Sequence, residues 1–132
     1  MTRRRTAVAA GALLAAALVA TTWWLLAARG SGSVRVTSGT VVVAPDVQLS
    51  SRIYAPDGAD ARRPAPAVLL AHGLGDDQRD VATMARMLAR HGYLVLTWNS
   101  RGERGSDGQV GIAAPDGEVA DISSLIDALA TR

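Results

Sequence analysis

The sequence predicts an α/β fold: a β-hairpin, then a parallel β–α–β–α unit, preceded by one hydrophobic helix. Three observations predict it. An uncharged apolar stretch, Thr6 to Ala28, stands near the start. Two runs rich in β-branched residues follow, stopped by Pro45 and Pro56. Two continuous apolar runs, 67–71 and 93–98, then alternate with two segments of helical periodicity. Strands alternating with helices give a mainly parallel sheet covered on both faces.

The first stretch, "TAVAAGALLAAALVATTWWLLAA", would span roughly 33 Å as a helix, close to the ~30 Å hydrocarbon core of a bilayer. Arg3, Arg4 and Arg5 precede it and Arg29 follows. That excess of positive charge favours a cytoplasmic N-terminus with the remainder outside. Trp23 and Trp24 suit the far membrane interface. Residues 1–29 therefore read as a signal anchor or a signal peptide. The apolar length exceeds a signal core of about 7–15 residues, and no clean A-x-A site follows, which favours the anchor. The expected location is the cell membrane, single-pass through residues 6–28; the alternative is secretion after cleavage. "GSGS", residues 30–33, reads as a flexible linker, and residues 34–132 as the domain.

The runs "TVVVA" and "VQLSSRIYAP" read as the paired strands of the hairpin. "PDGADARRPAP", Pro56 to Pro66, is a loop by its Pro, Gly and Asp content. "AVLLA" has the unbroken apolar character of a strand buried on both faces. Asp77 can cap the next helix, with Asp80 three places on. Val81, Met84, Ala85 and Leu88 then form one apolar stripe at helical spacing. Arg86, Arg90 and His91 sit in its last turn, and Gly92 is its stop. "YLVLTW" is the next buried strand, "NSRGERGSDGQ" a loop, and Val119, Ile122, Ile126 and Leu129 mark a helix from Asp116 to Ala130.

All 14 basic residues are Arg. Four of them flank the apolar span, leaving ten Arg against 12 Asp and Glu from residue 30 onward, a formal charge of −2. The domain thus has no basic excess to draw nucleic acid. With no cysteine, neither disulfides nor thiolate metal sites can form.

In an open parallel sheet, ligands bind outside the carboxyl ends of the strands. Two loops fall there, His72 to Asp77 and Asn99 to Gln109. Backbone amides at Leu74 and Gly75, just before a helix, suit a phosphate, a carboxylate or the oxyanion of acyl transfer. A P-loop is excluded because it needs Lys, and the dinucleotide fingerprint fails because Gln78 stands where its third Gly belongs.

The segment "PAVLLAHGLGDDQRDVATMARMLARHGYLVLTWNSRGERGSDG" resembles the N-terminal half of an α/β-hydrolase. More narrowly, it resembles the Xaa-Pro dipeptidyl-peptidase and acyl-esterase branch, with "HG-x-G" after strand three, "LA-x-x-GY-x-V" into strand four and "RG-x-G-x-S" in the next loop. "PDGEVADISSLIDALA" resembles the helix that precedes the nucleophile strand. "RGERGS" departs from the pattern by shifting its second Gly.

The resemblance implies a serine-type peptidase or carboxylic-ester hydrolase, working by acyl transfer on a small ester or peptide without a cofactor or metal. It implies an oxyanion donor at the Leu74 backbone N–H, with Gly73 and Gly75 letting the backbone approach the substrate. His72 and Asp77 would support the site structurally, Asp77 and Asp76 as helix-capping groups rather than metal ligands. The nucleophile motif G-x-S-x-G does not occur. The family's acid and His follow the nucleophile in chain order, so neither His72 nor His91 is a triad member, and Ser106 is a turn residue. The expectation is a truncated or partial hydrolase, inactive by itself, with "AVLLA" as a bare apolar edge. Alternatives are a lysophospholipase-like or dienelactone-hydrolase-like esterase, or a non-catalytic membrane-anchored interaction module.

Overall fold

The computed structural model describes residues 17–24, 32–111 and 113–131. The chain divides into two compact units, Met1–Gly32 and Ser33–Arg132. In the first, residues 17–24 are helical (α1), and the Thr21 hydroxyl donates back to the carbonyl of Ala17 at 2.9 Å. Most of the apolar span, with its anchor or signal reading, lies outside the described residues. Among those described, no helix is long and apolar enough to cross a membrane.

The second unit holds a four-stranded sheet in the order β1-β2-β4-β3. Strands β1 (Val34–Ala44) and β2 (Val47–Pro56) pair antiparallel from Val34↔Pro56 to Ala44↔Val47. "VRV" thus belongs to one long strand with "TVVVA". Strand β4 (Leu94–Trp98) lies antiparallel to β2 and parallel to β3 (Ala67–Leu70). Helix α2 (Ala82–Arg90) crosses between β3 and β4, and α3 (Ala120–Ala130) follows a wide turn at Pro115–Val119.

The alternation of side chains along β2 and β4 builds two cores. One face gives Val41, Leu49, Ile53 and Leu96, which pack with Leu125 and Leu129 of α3. The other gives Tyr54 and Val95, which pack with Ala85 and Ala89 of α2. Each fully buried aliphatic side chain contributes about 1.5–3 kcal/mol. Arg86 lies over the Tyr54 ring, 5.6 Å from its centroid.

Three expectations shift. β3 is not buried on both faces: Ala67 is exposed and Val68, Leu69 and Leu70 are half-buried. Among the described residues it is an edge strand paired with β4 alone, with Leu69 packed on one core and Val68 and Leu70 on the other.

Helix α2 starts at Ala82, one turn later than Asp77. Asp77 and Asp80 do form a reciprocal cap: the Arg79 amide donates to Asp77 Oδ1 at 2.6 Å and the Asp77 amide to Asp80 Oδ2 at 2.7 Å. That cap sits on tight three-residue turns, with Asp80 N–H donating to Asp77 O and Ala82 N–H to Arg79 O. The α2 face on the sheet is Ala85 and Ala89, while Met84 and Met87 are exposed. At the far end, Gly92 N–H donates to Ala89 O and Tyr93 N–H to Leu88 O, a Schellman stop.

In α3 the buried face is Asp121, Leu125 and Leu129, whereas Ile122 and Ile126, and Val119 just before the helix, are exposed. Of the predicted stripe only Leu129 lies on this face, which also holds a carboxylate.

Candidate functional site

Both loops named from the sequence lie after the carboxyl ends of the parallel strands, and they touch. The first turns at once. Asp76 N–H donates to Gly73 O at 3.1 Å and Gly75 has φ +84°. A positive φ at the third position is what a type II turn requires, and Gly adopts it without a Cβ clash. A Cβ on Gly73 would lie 2.9 Å from Asp76 Oδ2. Residues 73–76 are all exposed, Leu74 to 90%. Among the described residues, the amides of Leu74 and Gly75 meet no acceptor.

His72, by contrast, is turned inward, its side chain only 6% exposed. Its Nδ1 is 2.9 Å from Gly73 O, a contact in which the ring nitrogen must donate. Its Nε2 faces Glu103 Oε2 at 3.4 Å. His91 is elsewhere, with Nδ1 2.8 Å from Met87 O at the end of α2.

Asp77 is buried and fully engaged. Its carboxylate accepts from the Arg79 side chain at 2.8 Å and lies 3.3 Å from Arg104 Nε. The Arg79 side-chain hydrogen bonds, then the Arg79 amide, lower its pKa from 3.8 to about 2 against an opposing desolvation, with the charges of Arg79 and Arg104 adding to the effect. An acid held so firmly ionised is a poor proton carrier near neutral pH; its geometry is that of a brace.

The second loop is laced onto β2 and the first loop by a buried polar network. Asn99 Oδ1 accepts from the Gln78 amide at 2.8 Å, and Asn99 Nδ2 donates to Arg104 O at 2.8 Å. The Ser106 hydroxyl donates to Asn99 O at 2.8 Å and accepts from the Ser50 amide at 2.9 Å. Gln78 Nε2 donates to Ser50 Oγ at 2.9 Å. Asp107 exchanges two bonds with the Gln48 backbone. The shifted glycine of "RGERGS" leaves Arg104 at φ +28°, an uncommon place for a residue with a side chain. At Gly102 a Cβ would come within 2.8 Å of Val110 N, so only glycine fits.

The two loops lie together, as their places after β3 and β4 require, but the contacts that fasten them leave no local signal in the sequence. Gln78, Asn99 and Ser50 carry no spacing signal. Neither does the pair Arg101–Asp121, joined by two bonds of 2.7 Å. Among the described residues, no group of three or more His, Asp or Glu is placed to hold a metal ion. A groove of about 860 Å³ opens at the other end, lined by Ile53, Ala67, Leu69, Leu94 and Leu129 among others. It borders the starts of β3 and β4, away from both loops.

The model of the X-Pro dipeptidyl-peptidase (S15) family matches residues 46–131. The chain belongs to that family. The match takes in β2, both loops and both helices that follow them.

Solved structures agree on the fold. A hypothetical protein from Pseudomonas aeruginosa superposes with a TM-score of 0.63 at 23% identity, covering 75% of this chain and 31% of that one. An epoxide hydrolase from Vigna radiata gives 0.57 at 21% identity, covering 72% and 29%. A putative dienelactone hydrolase from Klebsiella pneumoniae gives 0.55 at 17%, covering 74% and 45%. The chain thus spans less than half the length of each of these structures. A comparison with curated proteins returns no match. By family and fold, the S15 chain is of the α/β-hydrolase type.

Proposed function

We propose that residues 34–132 supply the oxyanion-binding part of a serine-type hydrolase that acts by acyl transfer on a small ester or peptide. The observation that carries this reading is the exposed turn 73–76, whose Leu74 and Gly75 amides meet no acceptor among the described residues and lie beside the carboxyl ends of β3 and β4. In acyl transfer, negative charge develops on the carbonyl oxygen as the tetrahedral intermediate forms. A fixed amide donor there is worth about 2.7–4 kcal/mol of transition-state stabilisation. The Leu74 N–H takes that role. Gly73 and Gly75 keep the turn thin, and Asp77 with Arg79 and Arg104 braces it from behind.

No G-x-S-x-G occurs, so these residues offer no nucleophile elbow. The reading is therefore of a part that works within a longer hydrolase, its nucleophile strand laid beside the edge of β3. The same reading has residues 6–28 hold the domain at the outer face of a cell membrane, in keeping with the arginines that flank them.

A fluorophosphonate probe applied to the native full-length protein tests the chemistry. Covalent labelling of one serine outside residues 1–132 is expected. Absence of labelling in folded protein favours a non-catalytic module instead.

A further inference from the structure

His72 and Glu103 present a conflict that one proton removes. His72 Nδ1 lies 2.9 Å from the Gly73 carbonyl, and a carbonyl only accepts, so Nδ1 carries hydrogen. In a neutral imidazole the other nitrogen then bears a bare lone pair. That lone pair faces Glu103 Oε2 at 3.4 Å. Both atoms are buried, and among the described residues neither has another hydrogen-bond partner. Two acceptors sealed together out of water are unfavourable, whereas a second proton on the ring turns the same contact into a charge-assisted hydrogen bond.

Most neighbouring charges are engaged elsewhere. Asp77 is held by Arg79 and Arg104, and Arg101 by Asp121. Asp107 accepts from the Gln48 amide. Asp76 is exposed, its Oδ2 2.9 Å from where a Cβ on Gly73 would stand. Among the described residues Glu103 has no ion partner but His72.

We propose that His72 and Glu103 form a proton-operated latch that fastens the 72–77 turn to the 99–109 loop when the imidazole takes its second proton. The two residues stand in different loops, one after β3 and one after β4, so this contact is a side-chain tie between the tips of both. Because His72 also holds Gly73 O, closing the latch sets the turn that carries the Leu74 and Gly75 amides. Glu103 is thus a positioning residue acting through His72. The consequence for anion binding rests on the function proposed above, but the test does not use turnover.

The test follows the His72 ring signals and the Leu74 and Gly75 amide signals by NMR in the labelled full-length protein. The range is about pH 8 to 5, over which an imidazole ordinarily gains its charge. Both amide signals are expected to move in step with the ring. In Glu103→Gln the side-chain amide offers a donor or an acceptor, so the tie holds in either ring state and the two amides stay still. In Glu103→Ala the tie is lost in both states, and the amides keep their high-pH positions throughout. The proposal is overturned by a ring that takes no proton over the range, by amides that stay fixed while the wild-type ring titrates, or by variants that reproduce the wild-type shifts. Failure of serine labelling, with these shifts present, would remove the hydrolase reading and leave the latch.

Discussion

Arg101 meets Asp121 through two near-parallel hydrogen bonds, Nε to Oδ2 and Nη2 to Oδ1, each 2.7 Å long. The pair joins the loop after β4 to the first turn of α3, and both side chains are largely out of water. It also explains why α3 presents Leu125 and Leu129 to the sheet. Asp121, Leu125 and Leu129 recur at i, i+4 and i+8, so drawing the carboxylate inward sets the rotation of the whole helix.

Removing one partner leaves the other as an uncompensated charge. Arg101→Ala is expected to cost about 3 kcal/mol, the low end for breaking a buried pair, because this one lies close to the surface. The double variant Arg101→Met with Asp121→Leu should lose much less, as no lone charge remains. Urea denaturation midpoints of the three proteins check this.

Acid should weaken the brace around Asp77. Its folded pKa of about 2 lies below the ordinary 3.8. A depressed carboxylate contributes stability that is fully present above about pH 4 and is lost as pH falls toward 2. Asp77→Asn is therefore expected to be less stable than wild type at neutral pH, and the gap should narrow between pH 4 and pH 2. Thermal melts across that range read it directly; a gap of constant size would contradict the assignment.

Gly75→Ala forces a Cβ into the left-handed region at φ +84°. The expected cost is about 1–2 kcal/mol, although no neighbouring atom lies within 4 Å of the added carbon. A loss near zero in chemical denaturation would mean that the turn is not held in this conformation.

Asn99→Ala strips the Gln78 amide and the Arg104 carbonyl of their partners at once. About 1–3 kcal/mol should be lost for the buried donor that is left unsatisfied. Ser106→Ala is expected to destabilise as well, since its hydroxyl both donates and accepts. It should nevertheless leave fluorophosphonate labelling of the full-length protein unchanged, which separates a structural serine from a nucleophile.

Much of the fold was legible because apolar periodicity reports burial. "AVLL" and "LVLTW" appear as strands β3 and β4, and the Gly92 stop lies where the pattern ends. The helix faces were less legible. Met84 and Ile122 fit a helical stripe by hydropathy, but Ala85 and Ala89 let α2 approach the sheet closely, and an ion pair rotates α3. The site was half legible. Gly73, Leu74 and Gly75 announce a turn before a helix, whereas Gln78, Asn99 and Glu103 act through contacts between residues distant in sequence. Such contacts leave no local pattern to read.

The most direct measurement is a crystal structure of the full-length protein after treatment with a phosphonate probe, which the proposed function expects to bond to a serine. A phosphonyl oxygen is expected about 2.7–3.1 Å from the Leu74 amide nitrogen, the span of an oxyanion donor. A phosphonyl oxygen bound by other donors, with Leu74 N–H facing solvent, would contradict the proposed function.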